Sequence, residues 1–191
     1  STLNGIRGTT VQTDGKIIAV GYKVNRAAVV RYNSDGSPDY SFGNQGLVLA
    51  APSYSFFYSV VIQADGKIVA AGRYSGDAFV VRLNANGTFD TTFSGDGRLV
   101  ISFATTFHSA ELTDVAIVPN SDKVVVGGTI YYDSVDYPCD QGSNAVLARI
   151  NSNGTLDTSF DGNGKLAIDL RCRDVLTSIA IHPTNEKIAF T

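Results

Sequence analysis

Apolar residues in this chain fall in short runs separated by polar, glycine-rich stretches, and no helical period persists for more than a turn or two. One arrangement recurs. Val11-Gln12-Thr13-Asp14-Gly15-Lys16-Ile17 returns as Ile62-Gln63-Ala64-Asp65-Gly66-Lys67-Ile68. It returns more loosely from Val118 to Val124 and from His182 to Ile188, so Val118 and His182 are expected at the strand position of Val11 and Ile62. After each lysine an apolar run closes on glycine: Gly21, Gly72, Gly128. A second run ends at Arg31, Arg82 or Arg149, a polar stretch leads to Phe42, Phe93 or Phe160, and a short strand follows Gly46, Gly97 or Gly164.

Each unit therefore predicts four short strands, a to d. Asp14-Gly15 and Asp65-Gly66 mark the a–b hairpin, because glycine supplies the positive φ that such turns need. Four antiparallel strands recurring at this period predict an all-β fold. They suit a β-propeller, whose blades cannot bury both faces alone and so stack on their neighbours. A parallel β-helix is the rival, but its turns are much shorter. The expected units run about 5–56, 57–112 and 113–176, with an incomplete unit at 177–191. That makes about three and a half blades of a partial propeller. The missing blades are expected from the rest of a longer chain or from another chain. A sequence that opens at Ser1 and contains no Met also leads us to expect a processed start or a piece of something longer.

The run from Gln12 through Asp14-Gly15-Lys16-Ile17, then Val29-Val30-Arg31-Tyr32-Asn33-Ser34-Asp35-Gly36-Ser37 with Asp39, Ser41 and Phe42, then a closing glycine strand, resembles the delta-60 repeat family of β-propellers. The resemblance covers almost the whole chain. It implies a propeller fold and occurrence in large bacterial secreted or cell-surface proteins. It brings no established activity and no agreed catalytic residues.

Spacing within the chain separates scaffold from variable parts. Lysine to glycine across strand b is five residues each time, and arginine to closing glycine is fifteen each time. The b–c connection varies, with ten residues from glycine to arginine in two units and twenty-one in the third. The d–a crossover varies as well. In an up-and-down blade these two connections share one face, and recognition is commonly grafted onto such loops. That face is the expected ligand face. Its longest insertion carries Tyr131, Tyr132, Asp133, Asp136 and Tyr137, which offer flat rings and carboxylates to a glycan or a protein. His108 lies in the longest crossover. Cys139 and Cys172 sit in two loops of that same face, so a disulfide is expected, worth roughly 3–4 kcal/mol in the chain-entropy model. It would place the protein outside the cell or on its surface.

Composition narrows the function further. A net charge of −3 without a basic cluster excludes a nucleic-acid face, and no apolar run is long enough to span a membrane. Zinc spacing is absent and no cofactor is expected. Calcium is an alternative for the carboxylates of the insertion and of Asn33 to Asp39, but the latter stretch lacks the terminal bidentate Glu and reads as a turn. No nucleophile or phosphate-loop motif appears. Recurrence of Arg31, Arg82 and Arg149, each eight residues before Asp39, Asp90 or Asp157, marks paired scaffold groups. The sequence thus predicts a non-catalytic binding or interaction module. A lectin-like propeller is the alternative, and a propeller hydrolase or lyase with axial acids the more distant one.

Overall fold

The computed structural model describes residues 2–103, 109–132, 142–169 and 174–191. The first sheet comprises β1 (Gly5–Val11), β2 (Ile17–Lys23), β3 (Arg26–Tyr32) and β4 (Leu47–Ser53). The second comprises β5 (Ser55–Ile62), β6 (Ile68–Tyr74), β7 (Asp77–Leu83) and β8 (Arg98–Ile101). The third comprises β9 (Ser109–Ile117), β10 (Val124–Tyr131), β11 (Ser143–Ile150) and β12 (Lys165–Ile168). A two-stranded sheet, β13 (Ile179–Ile181) and β14 (Ile188–Phe190), comes last. In each four-stranded sheet the spatial order follows the chain and every neighbouring pair is antiparallel. Strands a to d are thus β1 to β4 and their counterparts.

Strands b and c read as unbroken apolar runs because the sheets stack face to face. Val29 and Val81, Phe57 and Phe79 fill the layer between the first and second sheets. Val69, Val80, Leu112 and Val126 fill the next. Val125, Leu147, Leu176 and Ile179 join the third sheet to the two-stranded one. Each fully buried Leu or Phe contributes about 1.5–3 kcal/mol of apolar burial. Strand d, at the outer edge, is seven residues long in the first sheet but only four in the second and third, where it is only partly covered.

The recurring glycine does not end strand b, which runs on to Lys23, Tyr74 and Tyr131, and its presence inside the strand has a steric cause. Opposite it, strand a carries a bulge, with Arg7, Tyr58 and Thr113 as the extra residues that break the register. The bulged strand folds a carbonyl over the glycine: a Cβ on Gly72 would fall onto the Phe56 carbonyl oxygen, and one on Gly128 onto that of Glu111.

Pairing register corrects the expected alignment of the later units. Ile117 pairs with Val124, and Ile181 with Ile188, as Ile62 pairs with Ile68. The amides of Val118 and His182 donate to the carbonyls of Lys123 and Lys187, as that of Gln63 donates to Lys67. Val118 and His182 therefore hold the place of Gln63, one position beyond Ile62. The a–b turn there is one residue longer, and apolar matching absorbed the insertion on the wrong side. His182 is exposed on a turn, not packed on a strand face.

Candidate functional site

The recurring charges form one structural cassette. Asp39 donates its amide to the Arg31 carbonyl (3.0 Å), and Arg31 Nε donates to Asp39 Oδ2 (2.8 Å). Lys16 Nζ reaches the same oxygen at 2.7 Å, while the Ser41 hydroxyl donates to Oδ1 at 2.6 Å. The guanidinium stacks over Phe42, 4.7 Å from its centroid. Arg82, Asp90, Thr92 and Phe93 repeat this arrangement, as do Lys123, Arg149, Asp157, Ser159 and Phe160. Hydrogen bonds from Lys16 and Ser41 hold the Asp39 carboxyl far below the usual carboxylate range, and those from Lys123 and Ser159 do so for Asp157. At Asp90 burial opposes ionisation, but bonds from Thr92 and the charge of Arg82 outweigh it and bring the pKa down to about 2. Carboxylates locked in this way maintain the c–d connection and have no proton to offer a substrate.

The cassettes also join neighbouring sheets. The amide of Gly43 donates to the Asn86 carbonyl (2.9 Å), and that of Ser94 to the Asn153 carbonyl (2.8 Å). Gly87 fits over the Phe42 ring at this junction.

The opposite face carries the b–c and d–a connections. Their contact is direct: the Ser55 amide donates to the Asn25 carbonyl, and the Ser75 amide to that of Tyr54. Aromatic and charged side chains from three sheets line up here. Tyr22 meets Phe56 edge-on at 5.1 Å, and the Arg73 guanidinium lies over the Phe56 ring, 5.1 Å from its centroid. Arg7 lies over Tyr58 at 5.8 Å. Glu111 is the hub: its Oε1 accepts from the Tyr131 hydroxyl at 2.8 Å, and Arg73 Nη1 stands 3.9 Å from Oε2. The half-buried Tyr58 phenol also faces Glu111. Burial, and then the Glu111 charge, push its pKa up.

Of the residues singled out from the sequence, Tyr131 joins this cluster and Tyr132 accepts from Asn144 Nδ2 (3.4 Å) at its margin. Asp133, Asp136, Tyr137, His108, Cys139 and Cys172 lie outside the described residues. Glu111, Arg73 and Tyr58 were missed. None has a like residue at the matching place in the other units, so recurrence could not reveal them. A bulge position, such as that of Tyr58, is visible only once strand pairing is known.

The molecule is thus an all-β repeat protein whose shared residues build its frame and whose unshared ones gather at one loop face. Among the described residues no helix is long and apolar enough to cross a membrane. Residues 12–42, 63–93 and 120–160, more than half of the chain, match the family described as "Domain of unknown function (DUF5122) beta-propeller", and the chain belongs to that family. Each matched segment ends on or beside the phenylalanine under the cassette arginine. Among curated proteins the chain is similar to Secreted aspartic protease 6 of Candida albicans, 25% identical over 162 residues, which are 80% of this chain and 36% of that protein. Among solved structures it is similar to virginiamycin B lyase from Staphylococcus aureus, with 12% identity and a TM-score of 0.44 over 97% of this chain and 62% of that one. The chain thus spans about a third of the protease and less than two thirds of the lyase chain.

Proposed function

We propose that this chain is a non-catalytic binding module of a secreted or cell-surface protein, taking a glycan or protein ligand on the b–c and d–a face. The observation that carries this reading is the Glu111 cluster. Tyr131, Arg73 and Tyr58 converge on one carboxylate between the second and third sheets, beside the Tyr22–Phe56 pair. Half-buried aromatic faces with adjacent donors and acceptors suit sugar rings and protein hot spots alike. A glycan ligand is favoured by the charge-polarised edge that Glu111 and Arg73 present beside the rings. Secretion accords with the name of the Candida protein. In this reading the repeats are of the delta-60 kind, about three and a half blades are present, and the remaining blades come from a longer chain or from a second one.

A glycan array probed with the wild-type chain, followed by titration of the best hits, tests the proposal. Glu111→Gln and Tyr58→Ala are expected to weaken binding at least tenfold without unfolding the protein. Unchanged affinity in both variants, or turnover of the bound glycan, would overturn it.

A further inference from the structure

The three cassettes are near-copies, and the second departs from the other two beside a pocket on the a–b and c–d face. In the first and third units the lysine binds the cassette aspartate, at 2.7 Å for Lys16–Asp39 and 2.8 Å for Lys123–Asp157. In the second, Lys67 Nζ turns to Asp65 at 2.9 Å and stands 3.5 Å from Asp90. Arg31 donates through Nη1 to the Ala85 carbonyl of the next unit (2.6 Å), closing the first junction. Arg82 commits Nε to Asp90 and Nη2 to Thr92, and among the described residues its Nη1 makes no such bond to the third unit. The second junction holds a pocket of about 270 Å³.

Gln63 lines that pocket. It is 4% exposed; its Nε2 donates to the Asp122 carbonyl (2.9 Å), and its buried Oε1 has no hydrogen-bond partner. The site therefore holds an unmet acceptor on Gln63 and an uncommitted donor on Arg82. Asp65, Lys67, Thr92, Asp122, Ser152 and Asn153 complete its walls. Lys67 and Arg82 already face Asp65 and Asp90, and Asp122 adds a third carboxylate, so an anion is disfavoured, while among the described residues no group of carboxylates is placed to hold a metal ion. The volume is below the roughly 300–1,000 Å³ of drug-sized pockets. A hydroxyl group can accept from Arg82 and donate to a carboxamide, and a polyol brings several. We infer that the junction between the second and third units is a second binding site, for a small neutral polyol or a single sugar ring, on the face opposite the Glu111 cluster. Recognition there rests on hydrogen bonds, since no aromatic side chain lines the pocket.

The test is an amide NMR titration of the full chain with myo-inositol, D-glucose and glycerol, each at millimolar concentration. Saturable shifts are expected at Gln63, Lys67, Arg82, Asp122 and Ser152 for at least one polyol. Gln63→Leu is expected to weaken that binding at least tenfold, and so is Ser152→Tyr, which fills the pocket from an exposed position. Gln12→Leu makes the same change at the equivalent residue of the first unit, whose Oε1 is also unpartnered, and is expected to bind as wild type. The inference is overturned if no polyol shifts these amides, if Gln63→Leu and Gln12→Leu behave alike, or if acetate or phosphate binds there more tightly than any polyol. Because Glu111 variants leave this pocket intact, its failure and that of the loop-face reading are separable.

Discussion

Replacing Gly87 by alanine tests the junction between units against an internal control. Gly36 and Gly87 occupy the same place in the c–d turn, with φ of 84° and 87°. Alanine at either pays for a left-handed backbone, about 1–2 kcal/mol. Beyond that the sites differ. A Cβ at Gly36 meets nothing within 4 Å, whereas one at Gly87 would lie 2.7 Å from the Gly43 nitrogen and 3.0 Å from the Phe42 ring. Overpacking adds about 1–3 kcal/mol. Displacing the Gly43–Asn86 hydrogen bond adds about 1 kcal/mol more. Gly36→Ala should therefore destabilise by about 1–2 kcal/mol and Gly87→Ala by about 3–6 kcal/mol. Equilibrium urea unfolding followed by far-UV circular dichroism measures both. With a slope of about 1–3 kcal/mol/M, the two midpoints should differ by on the order of 1 M. Equal midpoints would mean that the stacked junction does not contribute to stability, and the account of why this turn needs glycine would fail.

The cassette and its pH dependence give two further expectations. The side chains of Arg82 and Asp90 are 4% and 5% exposed, so Arg82→Met strands a buried carboxylate and should cost about 3–5 kcal/mol. The double variant Arg82→Met/Asp90→Leu should recover part of that loss, and a single-variant cost below about 1 kcal/mol would refute the pairing argument. Asp39, Asp90 and Asp157 all have depressed pKa values in the folded state, about 2 for Asp90. Their stabilisation is complete above the unfolded value of about 3.9 and is lost as pH falls toward the folded values. Urea titrations from about pH 6 down to about pH 2 should show stability falling below about pH 4, and a flat profile would contradict it.

Much of this architecture is legible in the sequence because the repeat is its own alignment. The Asp-Gly turns, the arginine at the end of strand c and the aspartate eight residues on all have fixed offsets, and each lies where those offsets place it. The glycine of strand b is legible as a position but reads as the strand's end, since its requirement comes from a carbonyl on another strand. Val118 was misaligned because an apolar residue there mimics Ile62, while the ladder obeys hydrogen bonds. Tyr131 was legible from the insertion it was counted in, although it ends strand b, whereas its partner Glu111 enters from strand a of the same unit, twenty residues earlier. The pocket at Gln63 was hidden for a related reason. Lys67 and Arg82 look identical to their copies in sequence, and only their different partners set them apart.

The bulge in each first strand leaves one residue per unit outside the ladder. Arg7, Tyr58 and Thr113 occupy that slot, a cation, a phenol and a hydroxyl in three otherwise similar frames. Neighbouring slots communicate: Arg7 covers the Tyr58 ring, and Thr113 donates to the Leu176 carbonyl leading into the next sheet (2.5 Å). A residue that pairs with no strand partner can be exchanged without disturbing register, which in a β-sheet is otherwise fixed by every neighbour. The repeat thereby carries an addressable row, one letter per unit, in which the surface can be rewritten while the frame is copied unchanged.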